Sequence, residues 1–234
     1  MPKVTPKQNR KAIDSFEKQF RSEKSFPSLS VDHQDMMLPI MHTGYLMFIR
    51  SKFLFLGILK SFEDRNLFVT YSVIKSYWEN VTAFGYYIIK IEKMIKEDRL
   101  QEAFGLARKI GLGGRGFVTE EMVIKKGRTI EDFTIPNIYT MMELVDKDFQ
   151  KILGTKDSMF RELYDWQIAE GGHTTFIGLS MAGRWNKAGT ELFPDPKRSW
   201  DRFEYNSLLN LTALASQVFF IYWAKFRKLG ESNT

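Results

Sequence analysis

The sequence predicts an all-α protein, a helical bundle built around three long helices. Apolar residues recur at three- and four-residue steps over long stretches, while strand-like alternation is almost absent. No internal repeat or low-complexity linker divides the 234 residues. Apolar residues make up 44% of the chain, and 20 are phenylalanine, enough to fill one sizeable core.

The elements follow in order. Residues 7–22 carry Ile13, Phe16 and Phe20 on one side of an exposed amphipathic helix, and Ser25-Phe26-Pro27-Ser28 breaks it. Residues 1–27 therefore read as a basic N-terminal arm or helix, and residues 28–234 as one bundle domain. A long helix is expected over about Val31 to Ser61, with Leu38, His42, Tyr45, Leu46, Ile49 and Phe53 forming its apolar stripe. Pro39 implies a kink or a later start. Glu63 to Asn66 makes a turn, and a second long helix covers about Leu67 to Lys96. Its stripe is Ile74, Trp78, Val81, Gly85 and Ile88, with Gly85 suited to a close helix crossing.

Asp98 and Gln101 have the spacing of a capping box for a short helix ending at Gly111. Thr119-Glu120-Glu121 resembles another helix start, and Thr129 to Thr134 is the best candidate for extended chain. Pro136 opens a helix that ends near Gly154. Asp157 is expected to cap the helix leading to His173. The last long helix spans about Trp200 to Leu229, with Lys225, Arg227 and Lys228 in its final turn and Gly230 just beyond.

Composition excludes several classes of function. The chain has no cysteine, so disulfides, thiolate nucleophiles and zinc-finger ligation are ruled out. That fits a reducing cytoplasm. Met1 to Lys7 is basic with no apolar stretch behind it, unlike a secretory signal. Tyr45–Phe62 and Leu211–Phe226 are apolar, but Arg50, Lys52 and Lys60 interrupt the first, and the second falls short of the roughly 20 residues of a spanning helix. Both read as core helices, and no transmembrane segment is expected.

The net charge is +6 and is unevenly placed. Residues 1–24 hold seven basic and three acidic residues, a net of +4. The stretch 108–128 holds Arg108, Lys109, Arg115, Lys125, Lys126 and Arg128 against Glu120 and Glu121, again +4. Such patches attract RNA or DNA, and they also serve as solvated, solubilising surface. These cations are the candidate nucleic-acid contacts, together with Lys75.

Gly111-Leu112-Gly113-Gly114-Arg115-Gly116 spells G-x-G-x-x-G, but a dinucleotide fingerprint needs a strand before it. Here a helix precedes it, so the run reads as a basic connection. Lys75 and Glu79 share a helix face, either as a surface ion pair or with Glu79 as a buried carboxylate facing the bundle interior, where it could orient a histidine or bind a cation. Only three histidines are present. His42 reads as a hydrogen-bonded core residue and His33 as exposed at a helix start. A site of His42, Glu79 and His173 has acceptable metal ligands, but the spacing fixes no geometry, and neither metal nor cofactor is expected. His173 follows Glu170-Gly171-Gly172 at an expected helix end, where it either caps free carbonyls or acts as an acid–base group.

The stretch 65–180 resembles a group of all-α prokaryotic proteins. Lys75-Ser76-Tyr77-Trp78-Glu79 is similar to their R-S-x-x-E segment. Pro136 to Met141 with Asp146-Lys147-Asp148 is similar to the next helix, and Tyr164-Asp165 through Glu170-Gly171-Gly172-His173 is similar to their Y-[DE]-x-x-x-S-E-x-x-H element. That group distantly resembles the HEPN superfamily, helical bundles that include ribonucleases and partners of toxins or defence systems. The resemblance implies a HEPN-like bundle and a catalytic group of His173, Glu170 and Glu79. The HEPN R-x4-6-H signature is missing, since Trp166, Gln167 and Ile168 occupy the positions where its arginine would stand. Lys75 and Ala169 replace the group's arginine and serine.

Three functions follow as expectations. The first is binding of nucleic acid or a protein partner, with a place in a prokaryotic defence or toxin-related system. The second is a HEPN-like endoribonuclease using His173, and the third is a structural module whose aromatic faces pair in a homo-oligomer.

Overall fold

The computed structural model describes residues 5–23, 34–112, 135–154, 156, 158, 160–165, 183–195 and 200–231. Among them are seven helices and one small hairpin. The helices are α1 (Pro6–Ser22), α2 (Gln34–Glu63), α3 (Leu67–Lys96), α4 (Leu100–Leu112), α5 (Ile138–Leu153), α6 (Phe160–Leu163) and α7 (Arg202–Glu231). The strands are β1 (Gly183–Trp185) and β2 (Leu192–Pro194). The class is all-α, as the periodicity predicts. Three helices of 30 residues, α2, α3 and α7, each extend about 45 Å.

Helix α3 is the centre of the bundle and packs against α2, α4, α5 and α7. Its expected stripe of Ile74, Trp78, Val81, Gly85 and Ile88 is buried. A methyl group at Gly85 would lie 2.8 Å from Tyr222 Cε2 and 3.0 Å from Val145 Cγ2, so the glycine admits α5 and α7 at one crossing. Three buried aromatic side chains on α3 find hydrogen-bond partners across the bundle, whereas the buried Thr82 hydroxyl has none among the described residues. The Tyr77 hydroxyl meets Ser216 Oγ at 3.0 Å, Trp78 Nε1 donates to the Leu211 carbonyl at 3.2 Å, and the Tyr87 hydroxyl donates to the Ile40 carbonyl at 2.6 Å. Each bond removes the cost of an unsatisfied buried group.

Helix α2 turns a different side inward from the one expected. Met37, Ile40, Met41, Phe48, Phe55 and Ile58 are buried, whereas Leu38, Leu46 and Phe53 are 46%, 48% and 68% exposed, and His42 is exposed. The sequence here is apolar nearly all round, so periodicity alone cannot choose the buried stripe. Pro39 sits in the second turn and the helix continues through it.

Helix α1 is packed into the core rather than exposed. Thr5 and Gln8 form a reciprocal capping box at its start. Phe20 is fully buried among Phe48, Phe55, Phe219 and Phe220, with ring centroids 4.7–5.7 Å apart. Burying one such ring contributes about 1.5–3 kcal/mol. Asn9 donates to Asn210 Oδ1, and Trp223 Nε1 donates to Glu23 Oε1 at 2.8 Å.

Several helix ends differ from expectation. Asp98 is not the cap of α4; it takes a left-handed φ of 56°, and the chain enters the helix at Arg99. Helix α5 starts at Ile138 behind the cap Asn137, two residues later than Pro136, and ends where expected, at Gly154 with a φ of 64°. Asp201 and Glu204 form the reciprocal cap of α7, and Gly230 lies inside its final turn, buried. Asp157, Thr119 to Glu121 and Thr129 to Thr134 lie outside the described residues. The hairpin pairs Arg184 with Phe193, and three-residue strands leave too little alternation to be seen in advance. Helix α7 is long and apolar enough to cross a bilayer, yet 61% of its most apolar window is buried within the protein.

Candidate functional site

Lys75 and Glu79 stand one turn apart on α3, and Lys75 Nζ lies 3.9 Å from Glu79 Oε1. Glu79 retains 38% of its side-chain exposure. Its firmest partner comes from far along the chain: the Tyr164 hydroxyl donates to Oε1 at 2.6 Å. Tyr164 is 2% exposed, and its hydroxyl is held well above the usual tyrosine pKa. Burial is the main cause, followed by the hydrogen bond to Glu79 and its charge. Tyr164 is thus a neutral donor that fixes one carboxylate oxygen.

Asp146 on α5 positions this tyrosine. Its carboxylate accepts from Ser158 Oγ at 2.8 Å, the Phe160 amide at 2.8 Å and the Arg161 amide at 3.2 Å. Those amides are unsatisfied donors of the first turn of α6, so a carboxylate from another helix supplies the cap. Tyr164 packs edge-on against Tyr139 at 6.0 Å, and Arg161 lies over the other ring at 5.4 Å while pairing with Glu143.

Glu79 also lines a cleft of about 380 Å³ between α2, α3, α4 and the start of α5. Helix α2 contributes Thr43, Leu46, Met47 and Arg50, and α3 adds Glu79, Asn80 and Ala83. Ile110 and Gly111 of α4, with Ile135, Pro136, Ile138 and Met141, complete the lining. Asn80 Nδ2 donates to the Met47 carbonyl at 3.2 Å and to Ser51 Oγ at 2.6 Å. Because Met47 and Ser51 bracket Arg50, that arginine leaves α2 at the level of Asn80 and Glu79. Arg50 makes no hydrogen bond or ion pair among the described residues.

Gly111 belongs to the last turn of α4, and a methyl there would come 3.1 Å from Thr43 Oγ1. The first glycine of the G-x-G-x-x-G run thus serves helix packing beside the cleft, where Thr43 Oγ1 donates to the Ala107 carbonyl. No strand precedes it.

Of the predicted site residues, Glu79 and Lys75 are together. Arg108 and Lys109 lie half-buried in the last turns of α4, with Arg108 over the Phe104 ring at 5.6 Å. Arg115, Lys125, Lys126, Arg128, Glu170, His173 and His33 lie outside the described residues. His42 is on the exposed side of α2, not in the core. No group of three metal-ligating side chains occurs among the described residues. Sequence reasoning missed Arg50 and Asn80 as cleft residues and Tyr164 as the partner of Glu79. The one available signal was Arg50 itself, a cation interrupting the apolar run 45–62.

No family model, curated protein or solved structure matches this chain. Fold and site together define an all-α bundle with a cleft that, among the described residues, is lined mostly by apolar side chains and one cation, and that has a fixed carboxylate on its central helix.

Proposed function

We propose that the protein binds single-stranded nucleic acid at the α2–α3–α4–α5 cleft. One observation carries the reading. Ile110 and Gly111 line the cleft, as do Ile135 and Pro136, and the sequence between them holds Arg115, Lys125, Lys126 and Arg128. Arg50, Arg108 and Lys109 add cations on or beside the cleft. Apolar walls suited to a base, with cations for phosphate, are the chemistry that single strands require. The resemblance to HEPN proteins supports the same reading, including a place in a defence or toxin-related system.

Filter binding of RNA and DNA oligonucleotides over a salt series tests it. Affinity should fall steeply with salt, and charge reversal at Arg50, at Arg108 with Lys109, and at Arg115 with Lys125 and Lys126 should each weaken binding and flatten the slope. Absence of salt-sensitive affinity overturns the proposal. Cleavage by His173 with Glu170 and Glu79 is the enzymatic form of this reading. It requires that His173→Ala abolish turnover of bound RNA without unfolding the protein.

A second reading rests on α2. Leu38, Leu46 and Phe53 lie exposed along one edge of that helix, the kind of surface that a protein partner or a second copy covers. Sedimentation of wild type and Phe53→Glu decides it: a concentration-dependent oligomer lost in the variant supports it, and a monomer throughout refutes self-association.

A further inference from the structure

We propose that the cleft is selective for guanine, with a phosphate of the same nucleotide held by Arg50. The inference rests on the nucleic-acid reading and names the base that the site selects. The α3 wall is rich in hydrogen-bond acceptors. Glu79 presents a carboxylate whose Oε1 is already oriented by Tyr164 at 2.6 Å, leaving Oε2 for a ligand. Asn80 uses its amide nitrogen on Met47 and Ser51, which leaves its side-chain carbonyl as an acceptor.

A carboxylate is complementary to adjacent N–H donors. Among the common bases only guanine offers two side by side on one edge, at N1 and the exocyclic N2. Adenine and cytosine place a ring acceptor next to their single amino group, and uracil flanks its one N–H with two carbonyls. Each of these would set an acceptor against Glu79, an unpaired polar contact that sites of this kind reject strongly. Leu46, Met47, Ile138 and Met141 supply apolar surface for the faces of the ring. Arg50, at the level of Asn80, is the cation for the phosphate, and guanidinium suits phosphate by its paired donors. A cleft of about 380 Å³ has room for one nucleotide.

The test measures binding of the full chain to short labelled RNAs that differ at one position, guanosine, inosine or adenosine, alongside guanosine, inosine and adenosine monophosphates. Inosine lacks only the exocyclic amine. Guanosine should be preferred over inosine by about tenfold or more, the usual worth of a base-edge contact. Glu79→Gln should remove that preference. Arg50→Ala, on an exposed side chain, should weaken all ligands alike and keep the preference, so the proposal stays testable if Glu79→Gln does not fold. Salt-sensitive RNA binding with no base preference overturns the guanine assignment and leaves the nucleic-acid reading standing. Guanosine monophosphate binding without RNA binding sustains the assignment and overturns that reading, and no binding of any ligand overturns both.

Discussion

The hydroxyl of Tyr164 donates to Glu79 Oε1 at 2.6 Å, joining two residues 85 positions apart. The bond ties the segment after α6 to the middle of the central helix and fixes the carboxylate that faces the cleft. Tyr164→Phe keeps the ring packing against Tyr139 and removes only the donor. A hydrogen bond to a charged acceptor contributes about 1.5–3 kcal/mol when buried, and Glu79 is partly solvated, so about 1 kcal/mol is expected. Urea unfolding of Tyr164→Phe, Glu79→Gln and the double variant measures it. The two losses should not add, because each removes the same contact.

Alkaline pH should destabilise the fold through its buried tyrosines. Tyr77, Tyr164 and Tyr222 all have hydroxyl pKa values raised above 10, with burial as the main cause in each. Asp148 adds to the effect at Tyr222, while the Ser216 hydrogen bond opposes it at Tyr77. Folding therefore favours the neutral hydroxyl. This stabilisation is complete below the unfolded value near 10 and is lost as pH rises from there toward the folded values. Stability measured from pH 8 upward should begin to fall near pH 10, and each Tyr→Phe substitution should make the fall shallower. A decline unaltered by all three substitutions contradicts this assignment.

Two glycines should respond to alanine with opposite signs. At Gly85 the added methyl meets Tyr222 and Val145 at 2.8–3.0 Å, and overpacking of this kind costs about 1–3 kcal/mol. Exposed Gly105 on α4 has nothing within 4 Å, so alanine there should stabilise by about 0.5–1 kcal/mol. Thermal unfolding of the two variants gives both signs directly.

Asp146→Ala should be the most damaging change near the site. It leaves two α6 amides and the Ser158 hydroxyl without their acceptor in a buried position. A loss of about 2–4 kcal/mol is expected. Amide hydrogen exchange should show Phe160 and Arg161 losing protection. Unchanged exchange there would mean that packing alone holds α6.

Some of this was legible in the residue pattern. The stripe on α3 was readable because that central helix is enclosed by α2, α4, α5 and α7, so an apolar stripe along it meets a neighbour, and Lys75 with Glu79 followed from helical spacing alone. The buried side of α2 was not readable, since Leu38, Leu46 and Phe53 are as apolar as Met37, Phe48 and Phe55. Nor were the caps supplied from a distance: Asp146 reaches α6 across 12 to 15 residues, beyond any local capping rule. Tyr164 and Glu79 gave no sign of each other because no periodicity links separate elements.

By itself, the sequence determined the helical class, the three long helices and the i,i+4 pairing of Lys75 with Glu79, because these depend on interactions within one or two turns. Tertiary structure alone decided which face of α2 is buried, that α1 belongs to the core, and that Arg50, Asn80 and Glu79 line one cleft. Those outcomes depend on how helices with more than one apolar face are packed together, and that choice is made by the fit of all their side chains at once.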